Sequence, residues 1–385
     1  MEDKDIQMFF DYHFNDMYPR VFNVSIDKVS LMGNWMYWKG LHPFQQLINA
    51  DESPIDIHKG ANTSEIEGYL FQKIWFKTND RKRNKDIRDF KMEFNPKRLT
   101  EDENVYLKWS VLPLLRQCGF TRLDFAFDVE EDLSNYIFFD SKNPKKVGKY
   151  IGKNGQLESL YIGSRESEWH VCIYDKKKEK QKELKKEERY ENEGKDYVAD
   201  LTNWERKQLQ IRKHWWRIEI RVKRSKSKEV LSEHEMFQSL HIIKPNFSTA
   251  KRVQDQAMIY FLTNFPEKIQ HLESRSKKRA QQLLLNNSEF DLVNILKLVY
   301  AGHLHELDVQ LKDYLSSTAL YEGDIHKAYT NYEKHLIKNG EVIEVENLSF
   351  ASKPVRPVLG KTHHHVVEKL TKKNEVKPVS SELPF

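Results

Sequence analysis

The sequence predicts an α+β protein with a central, mostly antiparallel sheet, helices on one face of it, and a helical C-terminal region. Three observations carry this prediction. Thr121 to Val129 (TRLDFAFDV) and Trp215 to Lys223 (WWRIEIRVK) alternate apolar and polar residues with a period of two, the pattern of half-buried strands. Ser159 to Lys176 (SLYIGSRESEWHVCIYDK) reads as two short aromatic and β-branched runs joined by a polar turn from Gly163 to Glu168. Beyond Ser225 the apolar residues return at helical spacing.

Taken in order, residues 1–22 form a leading arm without clear period. Val24 to Leu31 alternates as a first strand that ends at Gly33. Loop follows to about Ser64, with a short helix at Phe44 to Asn49, and Tyr69 to Phe76 (YLFQKIWF) is the next strand. After the basic stretch Arg81 to Arg88, Phe90 to Phe94 is a strand with Lys91 and Glu93 on its polar face, stopped by Asn95 and Pro96. Val105 to Cys118 has helical spacing, with Pro113 as a kink and Gly119 as the C-cap. Asp175 to Gly194 alternates in charge and reads as an exposed helix. Further helices are expected at Ser232 to Leu240, Lys251 to Thr263, Pro266 to Leu285 and Asp291 to Tyr314, with a dense basic patch from Arg275 to Arg279. From about Glu341 the chain lacks period and reads as a flexible tail. The predicted organisation is an arm (1–22), a sheet-containing domain (23–230), a helical region (231–320) and a partly flexible extension (321–385).

Composition excludes several classes. With 39% hydrophobic residues among 385, the chain supports a real core. Its formal charge is only +5, but the basic residues cluster, and a basic cluster attracts phosphates even on a nearly neutral protein. Cys118 and Cys172 fall in different elements without metal-ligand spacing, which argues against a disulfide framework or structural zinc. His363 to His365 lie in the polar tail and read as incidental. The acidic start MEDKDIQMFF lacks a signal-peptide core, and no stretch reaches the length of a membrane span; the expected location is cytoplasmic.

The polar sheet face is where chemistry is expected. Alternation turns Val171 and Ile173 to one side and His170, Cys172 and Tyr174 to the other. The same face collects Glu93, Arg122, Asp124, Asp128, Arg217 and Glu219. Carboxylates of this kind hold a hard divalent cation and arginines hold phosphate, so Tyr174 is a candidate nucleophile for phosphodiester chemistry, with Asp124 and Glu219 as metal ligands. On pattern alone a second reading stands beside it: Tyr174 packs, and the carboxylates pair with Arg122, Arg217 and Arg221 in surface ion networks of small energetic consequence.

Six stretches in order, VSIDKVSLMG, MEFNPKRL, GFTRLDFAFDVEEDLS, YIGSRES followed by IYDKKKE, WRIEIRVKR and LHIIKPNF, resemble the Rep_trans family of replication initiators from small Gram-positive rolling-circle plasmids. The family is similar in turn to certain relaxases of conjugative elements. The resemblance covers roughly residues 20 to 300.

It implies an HUH-like Rep nuclease fold and a metal-dependent, site-specific strand transferase that binds a plasmid double-strand origin. Such an enzyme nicks one strand in an extruded single-stranded loop, stays attached through a 5′-phosphotyrosine, and rejoins the ends. The resemblance assigns the nucleophile to Tyr174 in IYDK and the Mg²⁺ or Mn²⁺ ligands to Asp124 and Glu219, with Asp128 and Glu93 as further candidates. Arg165 in the GSRES turn and Arg217 become catalytic phosphate contacts. Arg275, Lys277, Lys278 and Arg279, with Lys176 beside the tyrosine, become DNA contacts. Implied partners are origin DNA with a hairpin, a second copy of the chain in a homodimer, and a host superfamily 1 helicase. Alternatives are a relaxase acting at a transfer origin and a non-catalytic DNA-binding regulator. Two departures stand out: Cys172 occupies a position that is often basic in the family, so that one phosphate contact is either missing or supplied by His170, and residues from about 320 onward have no counterpart.

Overall fold

The computed structural model describes residues 19–35, 54–59, 65–79, 88–141, 146–194, 201–223, 235–237, 239–246 and 249–318. The strands are β1 (Arg20–Trp35), β2 (Ile55–Lys59), β3 (Glu65–Leu70), β4 (Ile74–Asn79), β5 (Phe90–Phe94), β6 (Leu115–Glu130), β7 (Ile137–Asp140), β8 (Val147–Ile151), β9 (Leu157–Ile162), β10 (Trp169–Asp175), β11 (Trp216–Lys223), β12 (Leu240–Pro245) and β13 (Ser288–Asp291). The α-helices are α1 (Glu101–Tyr106), α2 (Lys176–Asn192), α3 (Asn203–Ile211), α4 (Val253–Asn264), α5 (Ser274–Asn286) and α6 (Leu292–Ser316). The class is α+β, as the period-two runs predict. Among the described residues, no helix is long and apolar enough to cross a membrane.

The chain falls into two compact units, one from residues 1–29 and 120–309, the other from 30–119 and 310–385. In the first, strand order runs β1, β6, β11, β10, β9, β8, and the pairs from β6 to β8 are all antiparallel. The apolar face is closed by aromatic packing: Phe125 and Phe127 of β6 meet the ring of Tyr300 on α6, and Phe237 packs against both Phe127 and Tyr300. Val171 and Ile173 of β10, with Ile218 and Ile220 of β11, are fully buried. A smaller sheet, ordered β13, β12, β7, shares a core with α4 and α5 through Ile137, Phe139, Ile243, Ile259, Leu262, Ala280 and Leu284.

The second unit orders β2, β3, β4 and β5 beside the later part of β1. Trp35 anchors it, its indole donating to Thr78 Oγ1 (2.7 Å) with its ring 4.7 Å from that of Phe90. Both groups are buried.

Several expectations change. The single strand expected at Tyr69 to Phe76 is a hairpin, because Phe71 and Gln72 take positive φ and turn β3 back into β4. Neither residue is the glycine or asparagine that usually announces such a turn. The helix expected from Val105 to Cys118 starts earlier and stops earlier. Thr100 and Glu103 form a capping box that begins α1, and the chain passes through a π turn and a 3-10 turn at Pro113 before β6 starts at Leu115. Gly119 is therefore a strand residue. The long helix from Pro266 is a 3-10 segment followed by α5, and of the helix expected at Ser232 to Leu240 the described residues Glu235–Phe237 form a 3-10 turn and Leu240 begins β12. The first strand runs well beyond Val24 to Leu31 at both ends. The helix at Phe44 to Asn49, most of the basic stretch from Arg81, and the tail with His363 to His365 lie outside the described residues.

Phe127→Ala removes a fully buried ring from the packing that backs β6. The expected loss is about 3–5 kcal/mol of unfolding free energy, read from urea denaturation.

Candidate functional site

The register of three strands in the first unit builds the site in rows. Tyr174 of β10 lies opposite Arg217 of β11, which lies opposite Asp128 of β6. The next row is Cys172, Glu219 and Ala126, and the next His170, Arg221 and Asp124. Successive rows stand about 7 Å apart, two residues along a strand. All nine side chains share one face, opposite Val171 and Ile173. Cys172 and Ala126 are small, so the middle row leaves room around Glu219, and Tyr174 leans into it: its hydroxyl donates to Glu219 Oε1 at 2.6 Å. Lys176, the first residue of α2, donates from Nζ to the same phenol oxygen at 3.2 Å.

The top row is a buried ion pair. Asp128 is 0% exposed, and Arg217 donates to it twice, from Nε to Oδ1 (2.7 Å) and from Nη2 to Oδ2 (3.0 Å). Trp215 Nε1 and Asn23 Nδ2 complete its partners at 2.8 and 2.5 Å. Burial pushes the Asp128 carboxyl up, but the Arg217 charge and these donors outweigh it and hold the group below the usual carboxylate range. Arg217 also reaches Asp27 Oδ1 of β1 at 3.1 Å. Its guanidinium is thus engaged by carboxylates on two strands.

Asp124 is likewise occupied. Arg122 grips both its oxygens (2.7 and 2.5 Å), and Arg221 Nε reaches Oδ2 at 3.1 Å. The structure brings Glu219 to Tyr174 and leaves Asp124 two rows away between two guanidinium groups. Glu93 belongs to the second unit, where Lys91 donates to it at 2.7 Å.

Asp27 is the carboxylate that pattern reading passed over. Its signal was a lone acid inside the first strand-like run, VSIDKVSL. Burial, and after it the charge of Asp27, raises the Glu219 carboxyl to about 7 against the lowering influence of Tyr174, Arg217 and Lys176. Burial also keeps the Tyr174 phenol well above its ordinary range, and the Glu219 charge adds to this. Tyr174 in the free protein is therefore a protonated phenol aimed at a carboxylate.

The remaining candidates divide. Arg165 is exposed in the turn between β9 and β10, and its carbonyl accepts from Lys223 Nζ (2.6 Å). His170 is buried, with Nδ1 3.1 Å from the Gly163 carbonyl oxygen; burial and the Arg221 charge lower its pKa. A neutral imidazole is a poor substitute for a basic phosphate contact. Burial pushes the Cys172 thiol up to about 12, so it stays protonated. On α5, Arg275, Lys278 and Arg279 are exposed and Lys277 is half-buried, with Arg279 Nη2 3.2 Å from Asp255. Among the described residues, no group of three or more His, Cys, Asp or Glu side chains is placed to hold a metal ion.

The raised Glu219 carboxyl couples the site to stability. Because its folded pKa lies above its unfolded value, its contribution is complete below about pH 4.5 and is lost as pH rises through about 7. Wild type should lose about 1–3 kcal/mol of unfolding free energy between pH 5 and 8. Glu219→Gln should flatten that slope in urea titrations at each pH.

No protein-family model matches the chain. A replication initiation protein of Staphylococcus aureus is 31% identical over 296 residues, covering 77% of this chain and 85% of that protein. A second, from the same organism, is 35% identical over 227 residues, covering 59% of this chain and 64% of that protein. For that relative the chain spans just under two thirds of its length. Among solved structures, a rolling circle replication initiator protein from Geobacillus stearothermophilus aligns with 60% of this chain and 89% of its own at a TM-score of 0.33 and 12% identity.

Proposed function

We propose a nicking and closing reaction on origin DNA for this chain, which belongs to the family of replication initiation proteins. Tyr174 attacks a phosphorus in a single-stranded segment of the origin, the bond to the 3′-oxygen breaks, and the 5′-phosphate becomes a phosphotyrosine. The released 3′-hydroxyl primes rolling-circle synthesis and the covalent bond is kept for rejoining. The observation that carries this reading is the phenol of Tyr174 held between Glu219 Oε1 (2.6 Å) and Lys176 Nζ (3.2 Å) on a half-buried polar face. A tyrosine used only for packing has no need of a half-buried carboxylate as the acceptor of its hydroxyl.

In this scheme Glu219 accepts the phenol proton as the oxygen–phosphorus bond forms, and returns it on closing. Arg217 is a positioning residue, pinned by Asp128 and Asp27 beside Tyr174. Arg165, exposed at the rim, meets a flanking phosphate, and the exposed cations of α5 hold duplex DNA through its backbone. A homodimer and a superfamily 1 helicase complete the set of partners.

A divalent cation, Mg²⁺ or Mn²⁺, fits Glu219 and Asp27 better than the other acids. Both are hard oxygen donors, and the charge of Asp27 already works against ionisation of Glu219. Asp124 and Asp128 are each gripped through both oxygens by guanidinium groups, whereas the Arg217 contact with Asp27 engages Oδ1. When bound, the ion supplies positive charge to the non-bridging oxygens of the phosphate.

The test is a labelled single-stranded oligonucleotide carrying the origin loop, incubated with the protein and Mn²⁺ and resolved under denaturing conditions. Wild type should yield a denaturation-resistant adduct, and Tyr174→Phe none. Adduct formation by Tyr174→Phe would reject the nucleophile assignment, while cleavage by wild type without any adduct would indicate attack by water.

A further inference from the structure

We infer that Lys176 acts on the tyrosine oxygen during nicking and closing, rather than contacting DNA phosphate. The inference rests on the assignment of Tyr174 as nucleophile. Lys176 opens α2 immediately after β10, a position where a lysine would ordinarily extend into solvent. It is instead only 5% exposed. Its Nζ is 3.2 Å from Tyr174 Oη and 5.3 Å from the ring centroid, and is fixed from behind by Glu179 at 2.7 Å. Asp175 caps the same helix by accepting from the Lys178 amide (2.9 Å), which sets the path of the chain at this point. An ammonium enclosed in this way is turned toward the phenol oxygen and the Glu179 carboxylate rather than toward solvent. Its neighbours on α2 point to the contrast: Lys177 and Lys178 are more exposed and engage backbone carbonyls and acids elsewhere.

The two contacts on Oη have opposite senses. The phenol gives its hydrogen to Glu219 and receives one from Lys176, so its oxygen is polarised along the path to a phenolate. In nicking, the Oη–phosphorus bond forms, the phosphorus–O3′ bond breaks, the phenol proton passes to Glu219, and the 3′-oxygen takes a proton from solvent. In closing, the 3′-hydroxyl attacks phosphorus and gives its proton to solvent, the Oη–phosphorus bond breaks, and Glu219 returns its proton to the departing phenolate. Lys176 keeps its proton throughout. Its positive charge stabilises the negative charge on Oη that both directions share, and a fixed donor aimed at developing charge is effective because it needs no reorganisation.

A phosphate-binding lysine and an oxygen-stabilising lysine separate experimentally. Lys176→Met and Lys176→Arg are compared with wild type for binding of the origin oligonucleotide over a salt series, and for the single-turnover rate of adduct formation at saturating DNA. The expected result for Lys176→Met is unchanged affinity and salt slope with a rate lowered about a hundredfold, and partial recovery in Lys176→Arg. Weakened binding with the salt slope reduced by about one and an unchanged saturated rate would overturn the inference in favour of a phosphate contact. An unchanged rate with unchanged binding would overturn it as well. If Lys176→Met does not fold, the less drastic Lys176→Gln, which keeps a neutral N–H donor, decides by the same two measurements. Tyr174→Phe run alongside distinguishes the failures: an adduct there removes the nucleophile assignment itself, whereas its absence with a fully active Lys176→Met removes only the role of the lysine.

Discussion

The buried pair of Arg217 and Asp128 is the constraint on which the polar face depends. A guanidinium 7% exposed and a carboxylate 0% exposed are tolerable in an interior only because each satisfies the other. Removing one partner would leave a bare charge at a cost of about 3–5 kcal/mol. The pair joins β11 to β6, and through Asp27 it also joins β1. By claiming these groups it fixes what is left over: Glu219, one row down, has the phenol of Tyr174 as its hydrogen-bond donor, while burial and the charge of Asp27 raise its carboxyl to about 7.

Charge on this face is therefore divided by residue type. The arginines, planar and bidentate, close off Asp124 and Asp128 and hold strands together. The compact ammonium of Lys176 sits at the one oxygen where chemistry is assigned. A tyrosine held above its ordinary pKa is a weak nucleophile by itself, which suits the proposed reaction, confined to DNA bound in the site. Affinity for the duplex is assigned elsewhere, to the exposed cations of α5.

The central strands were legible because each carries apolar residues on one face and polar ones on the other, even though both faces of β6 are buried from Leu123 to Val129. TRLDFAFDV and WRIEIRVK show a clean alternation, and the same alternation places Tyr174 and Glu219 on a common face. What the pattern does not encode is register. A shift of two residues between β6 and β11 preserves every inward and outward side chain, so face membership was readable while the row assignment, which puts Asp124 opposite Arg221 and Glu219 opposite Ala126, was not. Asp27 escaped because a single acid in a strand has no partner in sequence. The hairpin at Phe71 and Gln72 escaped because its turn uses residues that pay a conformational penalty for positive φ. The short strands β7 and β12 are stabilised by a core shared with α4 and α5, which a local reading cannot see.

The central claim is that one atom, Tyr174 Oη, carries the DNA. The most direct measurement is peptide mapping of the covalent adduct: nuclease digestion to a short nucleotide remnant, proteolysis, and fragmentation mass spectrometry to locate the added mass. The account predicts the nucleotide on Tyr174, within the peptide that spans the end of β10. A remnant on Tyr161 or Tyr190 would contradict it, and would move the reaction to a different part of the sheet and its helix.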